Sequence, residues 1–479
     1  MLFNSFEFVV FLPLVFLLYW FVFRSRRWQN FFVLVASYVF YGWWNWRFLL
    51  LIAFTSACSY ISGVLIERSK DLSSRRWVSA ANIVVNLLVL AVFKYYNFFT
   101  ENVASLCNLV GYELDWATLN IVLPVGISFY TFQALSYSID VYRGNIRATH
   151  DPVEFFAYIS FFPQLVAGPI ERATNLLPQF QKSRSFNYAK AVDGCRQMLW
   201  GFFKKLVVAD NCAVIVNQYW DSFSGQTGFH LLLVVVLFAF QIYCDFSGYS
   251  DIAIGCSRLF GIDLKRNFNY PYFSRDIAEL WRKWHISLMT WFRDYVYYPL
   301  GGSRCSKTRA MWNTVVVFFL SGLWHGANWT FVIWGLYNAL LLIIGSFFGL
   351  FVKSKDIPAE GKIFPSIKEF CKMLFTFFLF LIGLIIFRSQ NMGQAIGYLC
   401  QMFSPSLLNV GGLDCIDVLL WGILMLVVEW LQRDKQHALQ MDGVRFFRMP
   451  LVRYAIYLTL FVLIIHFTGE VQTFIYFQF

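Results

Sequence analysis

Apolar runs of bilayer-spanning length recur from Phe6 to Phe467, and no polar insert between them is large enough to form a soluble domain. A hydrocarbon core about 30 Å thick requires roughly 20 apolar residues of helix to cross it. Within that core every backbone N–H and C=O needs an internal partner, so only helices and closed β-barrels can span it. Runs this long fit helices. The chain is therefore read as an all-α polytopic membrane protein, a single integral-membrane body over residues 1–479. Composition agrees, with 14% charged residues where an ordinary soluble domain has about 25%.

Spans are expected at residues 6–23, 28–46, 48–66 and 77–99. The first lacks a basic segment before it and a small-residue cleavage site after it, so it is read as a retained span and not as a signal peptide. Arg24-Ser25-Arg26-Arg27 and the basic loop 67–76 are expected on the cytoplasmic side, whereas 100–120 carries Glu101, Glu113 and Asp115 and no Lys or Arg. That asymmetry puts the N-terminus outside. A fifth span, 121–142, bears Ser128, Tyr130, Thr131 and Gln133 on a stripe suited to a protein interior. The run 155–170 is broken by Pro163, Gly168 and Pro169 and is read as a partial insertion or interfacial helix. Spans at 195–219 and 231–256 precede the segment 257–309, the largest cytoplasmic element, whose ten basic and four acidic residues give a net of +6. Two spans within 311–351, a Lys-bearing loop from Lys353 to Lys372, and spans at 373–387, 417–432 and 454–467 follow. The count is about twelve crossings, with both termini outside.

The net charge of +11 is divided among these short loops, so membrane topology explains it and nucleic acid is not implied. The ten cysteines show no paired CxxC or Cys/His spacing, which supports neither a disulfide framework nor a zinc site. HExxH, GxSxG and GxxxxGK[ST] are absent from the sequence, which argues against a zinc protease, an α/β-hydrolase and a P-loop pump. Nothing in the sequence suggests a metal.

Two of the six histidines stand out. His325 lies in an apolar run, flanked by Gly322 and Gly326, glycines that let a ligand or another backbone come close. An imidazole there can take a proton from a hydroxyl near neutral pH, or it can be a buried histidine bonded to a neighbouring helix. Spacing does not choose between the two. His285 lies on a segment where Trp281, Trp284, Leu288 and Trp291 recur at helical spacing, with Arg282, Lys283 and Arg293 on other faces. This is the pattern of an amphipathic helix in the membrane surface with its aromatic face among the headgroups. Its basic face could attract a polyphosphorylated donor such as coenzyme A, although a plain surface anchor is the simpler reading. Asp245 and Asp251, in a stretch with Gln241, Ser247 and Tyr249, either line a cavity or pair with the basic segment that follows, and pairing is favoured. Glu429 and His466 are read as structural, and His150, His230 and His437 as loop residues without signal.

Trp281-Arg282-Lys283-Trp284-His285-Ile286-Ser287-Leu288, Trp291-Phe292-Arg293-Asp294-Tyr295, Pro299-Leu300-Gly301-Gly302 and Leu323-Trp324-His325-Gly326-Ala327-Asn328-Trp329 together resemble motifs of the membrane-bound O-acyltransferase superfamily. The likeness is to its bacterial branch that O-acetylates alginate and peptidoglycan. Val125 to Gln133, Phe162 to Ile170 and the terminal Ile475-Tyr476-Phe477-Gln478-Phe479 extend it over nearly the whole chain. Lys283 stands where a second Arg is expected and Met289 where a small residue is usual. A Lys cannot reproduce the two-pronged contact of Arg to a phosphate.

The resemblance implies a ring of tilted transmembrane and interfacial helices around a central funnel. It implies catalytic roles for His325 and for His285, and substrate contacts at Trp281, Arg282, Lys283, Trp284, Arg293, Asp294, Trp324 and Asn328, with Asp245 grouped beside them. Acetyl-CoA would be the donor, bound as a substrate and not as a resident cofactor, docking on the cytoplasmic face near Lys265, Arg266, Arg282 and Lys283. The acceptor would be an extracytoplasmic polysaccharide reached through an SGNH-hydrolase-like partner, since no soluble catalytic domain lies in this chain. The location would be the bacterial inner membrane. The teichoic acid D-alanylation branch shares the Trp-His pair but generally lacks the Pro-Leu-Gly-Gly at Pro299 to Gly302, which favours acetyl transfer. A non-catalytic acyl or glycan transporter is the alternative from another class; the missing internal repeat and the paired-histidine motifs count against it.

Overall fold

The computed structural model describes residues 1–112, 122–352, 357–411, 415–441, 449–469 and 472–475. Glu113, Asp115, Lys353 and the motif positions Tyr476 to Phe479 lie outside the described residues. Among those described, every regular element is a helix.

Six helices are long and apolar enough to cross a membrane: Arg47–Arg68, Leu72–Leu109, Gly228–Leu259, Trp329–Phe347, Ile367–Arg388 and Pro450–Phe467. The chain is a multi-pass membrane protein. Other expected spans are also helical, among them Lys307–His325 and Ile416–Leu431, and several depart from the lengths expected. The expected span 121–142 begins as helix only at Ile127, because Gly126 sits at φ 75° just after Pro124. The run 155–170 splits into Pro152–Ser160 and the single turn Phe162–Leu165, a break that is buried in protein, as broken backbone requires. The expected span 195–219 is helical but contains a π-helical turn, Phe203–Ala209, that carries Lys204 and Lys205.

The residues divide into two compact units. The first comprises Met1–Lys190 and Ser257–Leu264. In it the helices Arg47–Arg68, Leu72–Leu90 and Ile127–Tyr142 pack together through small and polar side chains, the usual glue between apolar helices. Ser62 and Ser138 share a hydroxyl hydrogen bond of 3.1 Å, and Ser59 donates to Asn82 at 3.3 Å. The polar stripe expected on 121–142 does face the interior: Ser128, Tyr130, Thr131 and Gln133 are buried, and Gln133 donates to the Tyr158 carbonyl at 2.9 Å.

The second unit comprises Ala191–Cys256 and Lys265–Phe479. Here Tyr188–Phe202 and its π-helical continuation lie directly on Gly228–Leu259, backbone against backbone. A Cβ on Gly201 would come within 2.6 Å of the Gly248 carbonyl oxygen, and one on Gly255 would strike that of Gly194. The close approach brings two consecutive buried lysines onto carboxylates of the long helix: Lys204 to Asp251 at 2.6 Å and Lys205 to Asp245 at 2.8 Å. Lys205 also holds Asp210 at 2.7 Å. Asp245 and Asp251 are thus paired as expected, but with lysines upstream and not with the basic segment that follows them. A second tight hairpin joins Lys307–His325 to Trp329–Phe347, where Gly322 fits against the Phe331 carbonyl and Gly335 against that of Phe318.

The segment around His285 differs from the single surface helix that its spacing suggests. Two helices of seven residues, Ile277–Lys283 and Ile286–Phe292, are separated by a kink at Trp284 and His285. The aromatic face does not lie among headgroups: Trp281, Trp284, Leu288 and Trp291 are 6%, 4%, 2% and 6% exposed. Tertiary packing in the second unit overrides the amphipathic pattern.

Candidate active site

The kink that carries His285 is built by hydrogen bonds from an extended stretch beside it. The Ile286 amide donates to the Asn267 carbonyl at 2.8 Å, and the Asn269 amide to the Lys283 carbonyl at 2.9 Å. These bonds hold Trp284 extended and His285 left-handed at φ 42°, a conformation that costs a non-glycine residue about 1–3 kcal/mol. Backbone strain of this kind persists only where surrounding contacts over-determine it. The imidazole is 1% exposed. Its Nδ1 lies 3.1 Å from Oδ1 of Asn267, and its ring meets Phe246 edge to face at 4.6 Å. Burial pushes its pKa down to about 3, so it is neutral at physiological pH.

His325 ends the helix Lys307–His325, with Gly326 as its C-cap. It is 6% exposed and boxed by three aromatic rings, each near perpendicular: Trp324 at 5.0 Å, Trp334 at 5.0 Å and Phe387 at 5.2 Å. The flanking glycines serve chain packing, since Gly322 meets the Phe331 backbone and Gly326 its ring. At Gly322 this is the close approach of another backbone that the sequence allows for.

Three of the sequence-derived residues join the histidines into one cluster. Trp324 lies 5.7 Å from the His285 ring as well as against His325. Trp281 packs on Trp334 at 5.5 Å, and Trp334 in turn contacts His325. Trp284 reaches Phe268 at 5.2 Å, the ring that faces His285 at 6.4 Å.

The remaining candidates make contacts of their own or face outward. Arg282 is exposed. Lys283 donates to Glu279 at 2.8 Å, where burial lowers the lysine pKa against the pull of that carboxylate. Burial alone would raise Glu279, but Arg275 and Lys283 outweigh it and hold the carboxyl below its ordinary value. Arg293 and Asp294 form a 2.7 Å ion pair with each other at a partly exposed position. Asn328 caps the next helix, accepting from the Thr330 amide at 3.0 Å and donating to the Gln390 carbonyl at 2.8 Å. Asp245, besides holding Lys205, accepts from the Ile475 amide at 2.7 Å.

Sequence reasoning missed Asn267, Phe246, Trp334 and Phe387. None carries a motif, and each comes from a different segment. The consecutive lysines inside an apolar run, Lys204 and Lys205, were a legible sign of buried carboxylates that the reading passed over. His437, read as a loop residue without signal, is buried and paired with Asp193 at 3.0 Å. It lines a polar cavity with Lys204, Asp251, Arg266, Tyr270 and Glu429.

Comparison with known proteins bears on this geometry. The chain is 39% identical over 407 residues to the probable alginate O-acetylase of Azotobacter vinelandii, covering 84% of this chain and 78% of that one. It is 31% identical over 432 residues to the peptidoglycan O-acetyltransferase of Helicobacter pylori, covering 84% and 80%. It is 28% identical over 299 residues to the teichoic acid D-alanyltransferase of Bacillus subtilis, covering 60% and 72%. The profile of the MBOAT, membrane-bound O-acyltransferase family matches residues 145–387, a range that contains both histidines and the rings between them. The chain belongs to the membrane-bound O-acyltransferase family.

Proposed function

We propose that this protein transfers acetyl groups from acetyl-CoA, taken up on the cytoplasmic side, for O-acetylation of an extracytoplasmic polysaccharide. The observation that carries this reading is the buried pair His285 and His325, joined through Trp324 inside an apolar box. It is supported by relatives that bear the names of alginate and peptidoglycan O-acetylases. The D-alanyltransferase is the more distant match.

Thioester transfer needs a group that removes the acceptor's proton in a site closed to water, because water would hydrolyse the same bond. His325 is that base: it takes the proton of the acceptor hydroxyl as the oxygen attacks the thioester carbonyl. The carbon–sulfur bond breaks, and the proton passes to the departing CoA thiolate. In the variant with a covalent step, the imidazole itself first accepts the acetyl group and then yields it to the hydroxyl. Exposed Arg282, with Lys265 and Arg266, supplies positive charge for the CoA phosphates. Lys283, tied to Glu279, contributes less. The acceptor is alginate, peptidoglycan or another exopolysaccharide, reached through a partner of the SGNH-hydrolase type in the extracytoplasmic space of the inner membrane.

Acetyl-CoA radiolabelled on its acetyl group, incubated with purified protein in nanodiscs and the outer-face partner, tests this. Wild type releases CoA and moves label to the acceptor, while His325→Ala loses on the order of 10²–10⁴-fold of that rate. Equal turnover in both removes His325 from the mechanism.

A further inference from the structure

Three groups converge on Oδ1 of Asn267, a fully buried residue. The Ser287 amide lies at 3.3 Å, the Ser287 hydroxyl at 2.8 Å and His285 Nδ1 at 3.1 Å. A backbone N–H can only donate, so the Asn267 atom that faces Ser287 is its carbonyl oxygen, whatever the ambiguity of amide orientation elsewhere. The other end of the amide agrees, since Nδ2 donates to Ser250 Oγ at 3.1 Å. The Ser287 hydroxyl also lies 3.4 Å from Nδ1, but its one hydrogen goes to Asn267 Oδ1 in the shorter 2.8 Å bond. The nitrogen that faces that acceptor oxygen at 3.1 Å therefore carries the hydrogen, and the hydrogen bond at one ring nitrogen decides the state of the other.

We propose that Asn267 is a positioning residue that locks His285 in the Nδ1–H tautomer, so that Nε2 presents a lone pair to a substrate O–H or S–H. The lock works on geometry and on tautomer together. The Asn267 carbonyl holds the Ile286 amide while its side chain holds the ring, so one residue sets both the left-handed backbone and the direction of the imidazole. Ser250, on the long helix Gly228–Leu259, fixes Asn267 from behind. With burial keeping the ring neutral, His285 accepts a hydrogen bond through Nε2 and supplies no proton there. This divides the labour between the histidines: His285 orients the reacting hydroxyl or thiol, and His325 moves the proton. The division rests on the acyl-transfer reading above, whereas the tautomer does not.

The test uses full-length protein in nanodiscs with ¹⁵N,¹³C-labelled histidine, read by solid-state NMR. The His285 signals are identified by their loss in His285→Gln. Wild type should show His285 protonated at Nδ1 and bare at Nε2. Asn267→Leu should populate the other tautomer and lower kcat by roughly 10–100-fold, the loss that follows removal of the partner that orients a metal-bound imidazole, with KM for acetyl-CoA unchanged. Asn267→Asp keeps acceptor oxygens facing Ser287 and His285, and should restore the tautomer and most of the rate. An Nε2–H tautomer in the wild type overturns the proposal without recourse to any variant. An unchanged tautomer in folded Asn267→Leu overturns it as well. If the tautomer behaves as expected and wild type with its partner turns over no acetyl-CoA, the lock stands and the acetyl-transfer reading falls.

Discussion

The indole of Trp324 lies 5.7 Å from the imidazole of His285 and inclined to it by 66°, so the residue just before the second histidine in the chain touches the first. Forty positions separate the two histidines, and one side chain closes that gap. Truncation should therefore disturb both ends at once. Trp324→Ala, at a position 3% exposed, is expected to lower stability by about 3–5 kcal/mol and to reduce turnover even where folded protein is recovered. Trp324→Phe should be milder on both counts. Thermal unfolding in detergent beside CoA release checks the pair; a Trp324→Ala protein with wild-type rate would separate the two histidines functionally.

Asp245 holds both Lys205 and the Ile475 amide. Leaving a buried cation short of a partner costs about 3–5 kcal/mol, whereas replacing both members by apolar residues is often near neutral. Asp245→Ala should lower the melting temperature markedly. The double variant Lys205→Met with Asp245→Leu should recover part of that loss, although Asp210 then lacks its 2.7 Å partner. An Asp245→Ala protein of unchanged melting temperature but lost turnover would make Asp245 a substrate contact and not a structural one.

A methyl group at the glycine contact has nowhere to go. Gly201→Ala or Gly248→Ala places a Cβ 2.6 or 2.8 Å from the facing carbonyl oxygen, and overpacking of this sort costs typically about 1–3 kcal/mol. Gly225→Ala meets nothing within 4 Å and serves as the control, expected to change stability little. Comparable melting temperatures for all three would mean that the helices part easily.

His285 also sets a pH dependence of stability. Its folded pKa of about 3 lies below the ordinary 6.5 because burial penalises the charged ring. Well above pH 6.5 the ring is neutral in folded and unfolded chains alike and contributes nothing to the slope. As pH falls from 6.5 toward 3 the unfolded chain takes the proton first, so stability is lost by up to about 1.4 kcal/mol per pH unit. His285→Gln should lack this component. Melting temperatures between pH 7 and 4, wild type against variant, should diverge in slope as pH drops; parallel curves would show that the ring is solvated.

The membrane class, several long spans and the inward polar stripe of Ile127–Tyr142 were legible because hydropathy and period are local properties of a sequence. The kink at His285 was not, because the bonds that break the helical pattern come from Asn267 and Asn269, in a stretch with no periodicity of its own. The aromatic walls escaped for a similar reason. Trp334 and Phe387 lie on the apolar helices Trp329–Phe347 and Ile367–Arg388, where one more ring among many carries no signal. The motifs name both histidines, the tryptophan between them, Asn328 and Arg293; the first three meet in one cluster, whereas Asn328 caps a helix and Arg293 pairs with Asp294.

The left-handed backbone of His285 has a consequence for rate as well as for shape. A side chain on a free loop must find its working orientation anew each time a substrate arrives, and that search adds entropy to the barrier. Here the peptide units on either side of the kink and the ring itself are held in place before any substrate arrives. The ordering is incurred once, when the chain folds, and every later encounter begins with the imidazole already aimed.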